Sequence, residues 1–204
     1  MARKGRPREF DREEALLQAM RVFWALGYEG AALTALQEAM GGISAPSFYA
    51  AFGSKEKLFR EAVELYSQTL GAPMIRELKE ASTARAAIQA LLENAVAAFT
   101  KSGLPRGCML VMAAVNITPA NKGVQVYVRG LRVRRRRAIE QRLRRAVAEG
   151  ELRSDLDVSA VANFYTTVMD GLAIRARDGA SRKALKAAAE CAAAAWDKTV
   201  MLKV

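Results

Sequence analysis

The chain has 204 residues, 51% hydrophobic and 26% charged, and 32 Lys and Arg against 21 Asp and Glu give it a net charge of +11. That length holds one large domain or two small ones, each with a core, and that charge points to a polyanionic partner, nucleic acid before anionic membrane. The absence of histidine removes the commonest general base and metal ligand; Cys108 and Cys191, far apart and without CxxC spacing, support neither a disulfide framework nor a zinc site, so no cofactor is expected.

Abundant alanine and few aromatics favour helices over sheets. Residues 1–9 are a polar, basic arm containing Gly5 and Pro7. No apolar stretch follows it, so no signal peptide is expected. Nor does any run reach the ~18 apolar residues of a membrane span. Two lone thiols suit a reducing compartment, and the expected location is the cytoplasm. A first helix starts near Phe10, with Asp11 as its cap and Glu14 as the capping-box partner. Leu16, Ala19, Met20 and Phe23 form its apolar face, and Gly27 is the expected stop.

A second short helix is predicted over 33–40, ended by Gly41-Gly42. Ser44 caps a third over 45–51, with Pro46 tolerated in the first turn. Ser54 caps a fourth, whose apolar residues are Leu58, Phe59, Ala62, Leu65 and Tyr66. After Gly71-Ala72-Pro73 the helices lengthen, to 74–81, 84–101, 105–117, 122–149, 158–178 and 181–201, bounded by Gly, Pro, Ser and Asp. No strand alternation and no repeat interrupts them. The expected fold is therefore all-α: a basic arm (1–9), a small three-helix domain (10–55) and a larger helical domain (56–204).

Residues 33–52 read as two helices joined by a glycine turn. In the second, Phe48 and Phe52 share one face, leaving Ala45, Pro46, Ser47, Tyr49 and Ala50 outward. Such a small outer face can enter a major groove ~12 Å wide, where small side chains meet thymine methyls and Ser47 meets a base edge. Tyr49 can reach a phosphate, and Lys55 stands at a helix start, where charge and backbone amides both favour one. The rival reading is an ordinary helical hairpin with an exposed tyrosine.

The string from Gly27 to Phe59 resembles the N-terminal domain of the TetR family of transcription regulators. The matching features are Gly27-Tyr28 ending the first helix, Tyr49-Ala50-Ala51-Phe52 in the reading helix, and Ser54-Lys55-Glu56-Lys57-Leu58 opening the fourth. The resemblance implies a helix-turn-helix DNA-binding domain on a helical domain for dimerisation and ligand sensing. Two positions depart from the pattern. Ala31-Ala32 replaces the usual Thr-Ser before the second helix, leaving Thr34 as the substitute cap or phosphate contact, and the turn has two glycines rather than one. The candidate DNA contacts are thus Thr34, Ser44, Ala45, Pro46, Ser47, Tyr49 and Lys55. Arg3, Lys4, Arg6 and Arg8 of the arm join them, since Arg3-Lys4-Gly5-Arg6-Pro7-Arg8 resembles a minor-groove hook. The arm reads otherwise as a tail adding nonspecific affinity.

The last two helices, with Val158, Val161, Ala162, Tyr165, Val168, Met169, Leu172, Leu185, Ala188, Ala189, Ala192, Ala193 and Trp196, offer faces for a homodimer or, alternatively, for the protomer's own core. Candidate effector contacts are Phe99, Cys108, Met109, Met112, Asn116, Phe164, Tyr165, Met169 and Asp170; Asn116 and Asp170 are expected as polar groups in apolar surroundings. Cys108 reads as a buried thiol, or as a sensor activated by Arg106 and a helix start at Pro105. The arginines of 129–145 read as a solvated face, a second nucleic-acid surface or an acidic-effector site. The leading expectation is a dimeric repressor on a roughly palindromic DNA operator, released by a small-molecule effector. The alternative is a nonspecific architectural DNA-binding protein. No catalytic constellation suggests an enzyme, and the basic helix lacks the apolar face that a membrane surface would require.

Overall fold

The computed structural model describes residues 11–201, and all regular structure among them is helical. Helix α1 (Arg12–Gly30) starts where Asp11 accepts from the amides of Glu13 and Glu14 at 3.0 and 3.1 Å. Glu14 does not complete a capping box; its carboxylate accepts from Gln18 one turn on. Gly27 proves a kink rather than a stop. Its φ of 74° breaks the helix, which then resumes for one turn to Gly30.

Three short helices follow: α2 (Leu33–Ala39), α3 (Ala45–Phe52) and α4 (Lys55–Tyr66). Ala32 gives α2 no side-chain cap, and Thr34 lies exposed inside its first turn. The second glycine lengthens the turn rather than the helix. α2 ends at Ala39, and Gly41 and Gly42 both take positive φ, 88° and 76°. The Gln37 side chain donates to the Ile43 carbonyl and holds this turn. Ser44 and Ser54 cap α3 and α4 by accepting from the amides of Ser47 and Lys57. None of these helices is long enough to persist alone. They share one core, in which Phe23 meets Phe59 edge-on at 5.1 Å and Leu36, Phe48 and Phe52 are buried. Arg12 closes it, lying over the Phe52 ring and pairing with Glu61 at 2.7 Å.

Beyond α4 the chain passes through a π-helical turn, Ser67–Gly71, which the sequence pattern did not signal, into α5 (Ala72–Glu80) and α6 (Ala84–Phe99). The helix expected over 105–117 shrinks to α7 (Met109–Met112). Gly107 is the reason. Its φ is 86°, its amide donates to the Phe99 carbonyl, and a Cβ there would stand 2.7 Å from the Ala173 carbonyl oxygen. Arg106, beside it, donates to the carbonyls of Ala176 and Ala180, satisfying backbone acceptors at the C-terminal end of the helix over Val158–Arg177.

A 3₁₀ turn (Pro119–Asn121) leads into α8 (Lys122–Ala148), followed by α9 (Val158–Arg177), α10 (Arg182–Ala194) and α11 (Trp196–Met201). The helix expected over 181–201 is thus split at Ala195. These helices bury Ile88, Leu91, Leu92, Ile139, Leu143 and Met169 in one core continuous with that of α1–α4. No helix among the described residues is long and apolar enough to cross a membrane.

Candidate nucleic-acid interface and interior cavity

Helix α3 presents the outer face that its spacing predicts. Ala45, Pro46, Ser47, Tyr49 and Ala50 are exposed, while Phe48 and Phe52 are buried. Tyr49 is 52% exposed and stands edge-on to Phe48, leaving its hydroxyl outward for a partner. Ser44 is engaged by the Ser47 amide and hydroxyl. Lys55 is partly occupied, since its ammonium lies 4.7 Å over the Tyr28 ring. Burial lowers its pKa, against the pull of Glu29. Arg3, Lys4, Arg6 and Arg8 lie outside the described residues.

Helix α1 is fastened to later parts of the chain by several contacts. The Tyr28 amide, freed by the Gly27 kink, donates to the Ala113 carbonyl at 2.8 Å. The Glu29 carboxylate accepts from the amide and hydroxyl of Thr118 and from the Asn121 side chain. These bonds hold its carboxyl below the ordinary value. Arg177 donates to the Ala25 carbonyl. Finally, Trp24 meets Tyr66 edge-on at 5.0 Å.

Tyr66 also lines a cavity of about 400 Å³ between α4, the π-helical turn, α5, α6 and α8. Its buried floor is Tyr66, Leu91, Cys108 and Arg135; Ile75, Leu110, Leu131 and Ala138 add apolar wall, and Glu64, Gln68 and Arg134 form an exposed rim. The Tyr66 hydroxyl donates to Cys108 Sγ at 3.4 Å, and burial with the adjacent Cys108 raises the Tyr66 pKa well above the usual phenol value. Arg135 ion-pairs with Asp170 of α9 and brings a second nitrogen to 3.9 Å from Cys108 Sγ.

Of the effector contacts expected from the sequence, only Cys108 lines this cavity. Its cationic neighbour is Arg135, because Arg106 is turned to α9. Asp170 stands one contact away, paired with Arg135 rather than free in apolar surroundings. Phe99, Met109, Tyr165 and Met169 are core residues, and Met112 is half-buried against them. Asn116 is exposed, because the short α7 leaves it in the following turn. Phe164 is 39% exposed on α9. The residues missed, Leu131, Arg134 and Arg135 above all, lay in a stretch that reads as a basic face; only a tertiary contact separates Arg135 from its neighbours.

Most residues of the faces offered by α9, α10 and Trp196 follow the alternative reading, the protomer's own core. Val161, Ala162, Tyr165, Met169, Leu172, Leu185, Ala189, Ala192 and Trp196 are buried within the protomer. The exposed stripe is one step round: Phe164, Gly171 and Ile174 on α9 and Ala184 and Ala188 on α10, with half-buried Val168. The groove between the two helices has a volume of about 470 Å³. On α8, a solvated face describes Arg129, Arg134, Arg137, Arg144 and Arg145, which are exposed, but not Arg135 and Arg142, which are buried. Arg135, Arg136, Arg142 and Arg144 pair with Asp170, Glu140, Glu151 and Glu140, and Arg132 and Arg145 donate to the carbonyls of Val111 and Lys79.

Comparison with known proteins agrees with this arrangement. A family model described as bacterial regulatory proteins, tetR family, matches residues 15–62, and one described as tetracyclin repressor-like, C-terminal domain, matches residues 82–192. The HTH-type transcriptional repressor ComR of Escherichia coli K12 is 32% identical over 201 residues, 97% of this chain and 94% of ComR. The HTH-type transcriptional repressor BdcR of the same strain is 29% identical, with the same coverage. A cysteine mutant of the TetR family transcriptional regulator CifR, complexed with a 26-base-pair double-strand operator DNA, is 46% identical, with a TM-score of 0.89 over 94% of this chain and 100% of that one. With one model matching the reading head and another covering more than half of the chain, the protein belongs to the TetR family, whose members are transcription regulators and not enzymes.

Proposed function

We propose that the protein is a dimeric, ligand-responsive repressor. It reads a roughly palindromic operator with α3 of each protomer and is released when a small molecule fills the cavity floored by Tyr66, Cys108 and Arg135. One observation carries this reading: the cavity and the fastening of the reading head share parts. Tyr66 lines the cavity and touches Trp24 of α1. Residues 108–113 run from the cavity, at Cys108 and Leu110, to the Ala113 carbonyl that holds the Tyr28 amide. A ligand that binds better to one setting of these parts shifts α1, and with it α3. The names of ComR and BdcR and the operator-bound CifR support repression on DNA.

Dimerisation uses the exposed stripe of α9 and α10. An eight-residue reading helix touches few base pairs, so a two-fold pair of heads supplies the selectivity. Ala45, Pro46, Ser47 and Tyr49 face the major groove, and Thr34, Ser44 and Lys55 flank it toward the phosphates. Arg3, Lys4, Arg6 and Arg8 add minor-groove contact.

The test is fluorescence anisotropy on the chain's own upstream DNA against scrambled DNA at fixed, near-physiological salt. A preference of roughly a thousandfold or more is expected. Equal binding would instead favour a nonspecific architectural protein. Gly171→Arg, placed on the α9 stripe, is expected to yield monomers in the ultracentrifuge at micromolar concentration and to weaken operator binding.

A further inference from the structure

The polar part of the cavity floor is Arg135, Tyr66 and Cys108, with the Tyr66 hydroxyl and one Arg135 nitrogen directed at Cys108 Sγ. Arg135 is 7% exposed; it gives one terminal nitrogen to Asp170, and its Nε–H meets no acceptor among the described residues. The Tyr66 hydroxyl and the Cys108 thiol lie beside it. A buried N–H without a partner is uncommon and costly, and a guanidinium has donors only. Carboxylates are placed elsewhere. Glu64 is at the exposed rim, and Asp170 is outside the lining and already paired. The walls, Ile75, Leu91, Leu110, Leu131 and Ala138, are hydrocarbon. A volume of about 400 Å³ lies toward the small end of ligand pockets, which run from about 300 to 1,000 Å³.

These features discriminate between ligand classes. An organic cation finds a counter-charge only at the rim and meets a guanidinium on the floor. A plain hydrocarbon fills the walls but leaves the Arg135 Nε–H unpaired. A compact apolar body ending in a carbonyl or carboxylate oxygen suits both walls and floor. Taking the cavity as the effector site, as under Proposed function, we propose that the effector is a small apolar molecule with one such oxygen acceptor, received by Arg135 Nε beside Tyr66 and Cys108. That oxygen would share the guanidinium with Asp170, which holds a terminal nitrogen. Occupancy therefore bears on the α8–α9 ion pair while pressing on Tyr66, which abuts Trp24.

Four probes sharing a six-membered ring test the class: benzoate, acetophenone, benzylamine and toluene. Each is added at millimolar concentration to the full-length protein, with melting temperature and operator anisotropy as readouts. Benzoate or acetophenone should raise the melting temperature by several degrees and weaken operator binding at least tenfold, with benzylamine and toluene giving less than a third of that shift. Which of the first two acts more strongly tells carboxylate from carbonyl. Arg135→Lys retains a cation for Asp170 but lacks the Nε–H; it should erase the preference for the acceptor probes over toluene, with folding checked by circular dichroism. Ala138→Phe leaves Arg135 in place, fills the cavity and should abolish all probe binding.

Benzylamine or toluene acting as strongly as the acceptor probes, or no probe binding at all, overturns the proposal. If an acceptor probe binds selectively without releasing DNA, the effector class stands and the repressor-release reading fails. If Ala138→Phe itself weakens operator binding while no acceptor probe binds, release through the cavity stands and the class fails.

Discussion

Helices α3 and α8 are opposites. α3 has no charged residue among its eight, and α8 has nine arginines among its twenty-seven. Judged by charge, α8 is the surface for a polyanion. Judged by shape, α3 is, because its outer side chains are small and its aromatic residues other than Tyr49 are turned inward. The contacts decide the matter: six of the nine arginines of α8 are engaged by the chain itself, Arg136 and Arg144 by Glu140 of the same helix and Arg132, Arg135, Arg142 and Arg145 by carboxylates or carbonyls elsewhere. A count of basic residues measures the charge a chain carries, not the face on which a phosphate would meet it.

The sharpest way to break this contrast is to show that the arginines of α8 are interchangeable. Arg135→Ala leaves the Asp170 carboxylate without its cation and should lower the unfolding free energy by about 3 kcal/mol in denaturant titration. Arg129→Ala and Arg137→Ala, both exposed, should stay within about 0.5 kcal/mol. Equal small losses at all three would return α8 to a merely solvated face.

A somewhat smaller loss is expected at Gly107, which holds the loop that carries Arg106. Gly107→Ala puts a methyl group 2.7 Å from the Ala173 oxygen at a φ of 86°, and should cost about 2 kcal/mol by thermal or chemical unfolding. On the reading head, Tyr49→Phe should weaken operator binding by about 1 kcal/mol, roughly fivefold, if its hydroxyl donates to a phosphate. The salt dependence should not change, since no charge is removed. An unchanged affinity would take Tyr49 out of the interface.

The smallest effect is that of acid on the fastening of the head. Glu29 has a folded pKa below its ordinary value of 4.5. Its stabilisation is therefore full above that value and lost as pH falls through the lowered folded one. Glu29→Gln should therefore lower the melting temperature slightly at neutral pH, converge on the parent protein in acid, and so flatten the acid limb of the melting temperature against pH.

Most of the elements were legible because their signals are local. Asp11, Ser44 and Ser54 cap within three residues, Gly41, Gly42 and Gly53 break the chain where they stand, and Phe48 and Phe52 mark the inner face of α3 by their spacing. Where a long-range contact intervened, the reading failed. The helix expected over 105–117 was cut back by Gly107 against α9, and Asn116 was carried to the surface with it. The π-helical turn after α4 had no sequence sign, because nothing in Ser67–Gly71 distinguishes it from a continuing helix.

By itself, then, the sequence determined an all-helical chain, the position and outer face of the reading helix, and the family resemblance, all properties of residues within a few positions of one another. The tertiary structure decided which arginines are drawn inward, which side of α9 and α10 remains exposed, and which residues enclose the cavity. Those depend on Tyr66, Cys108, Arg135 and Asp170 meeting in space across more than a hundred residues of chain, and no local periodicity records such a meeting.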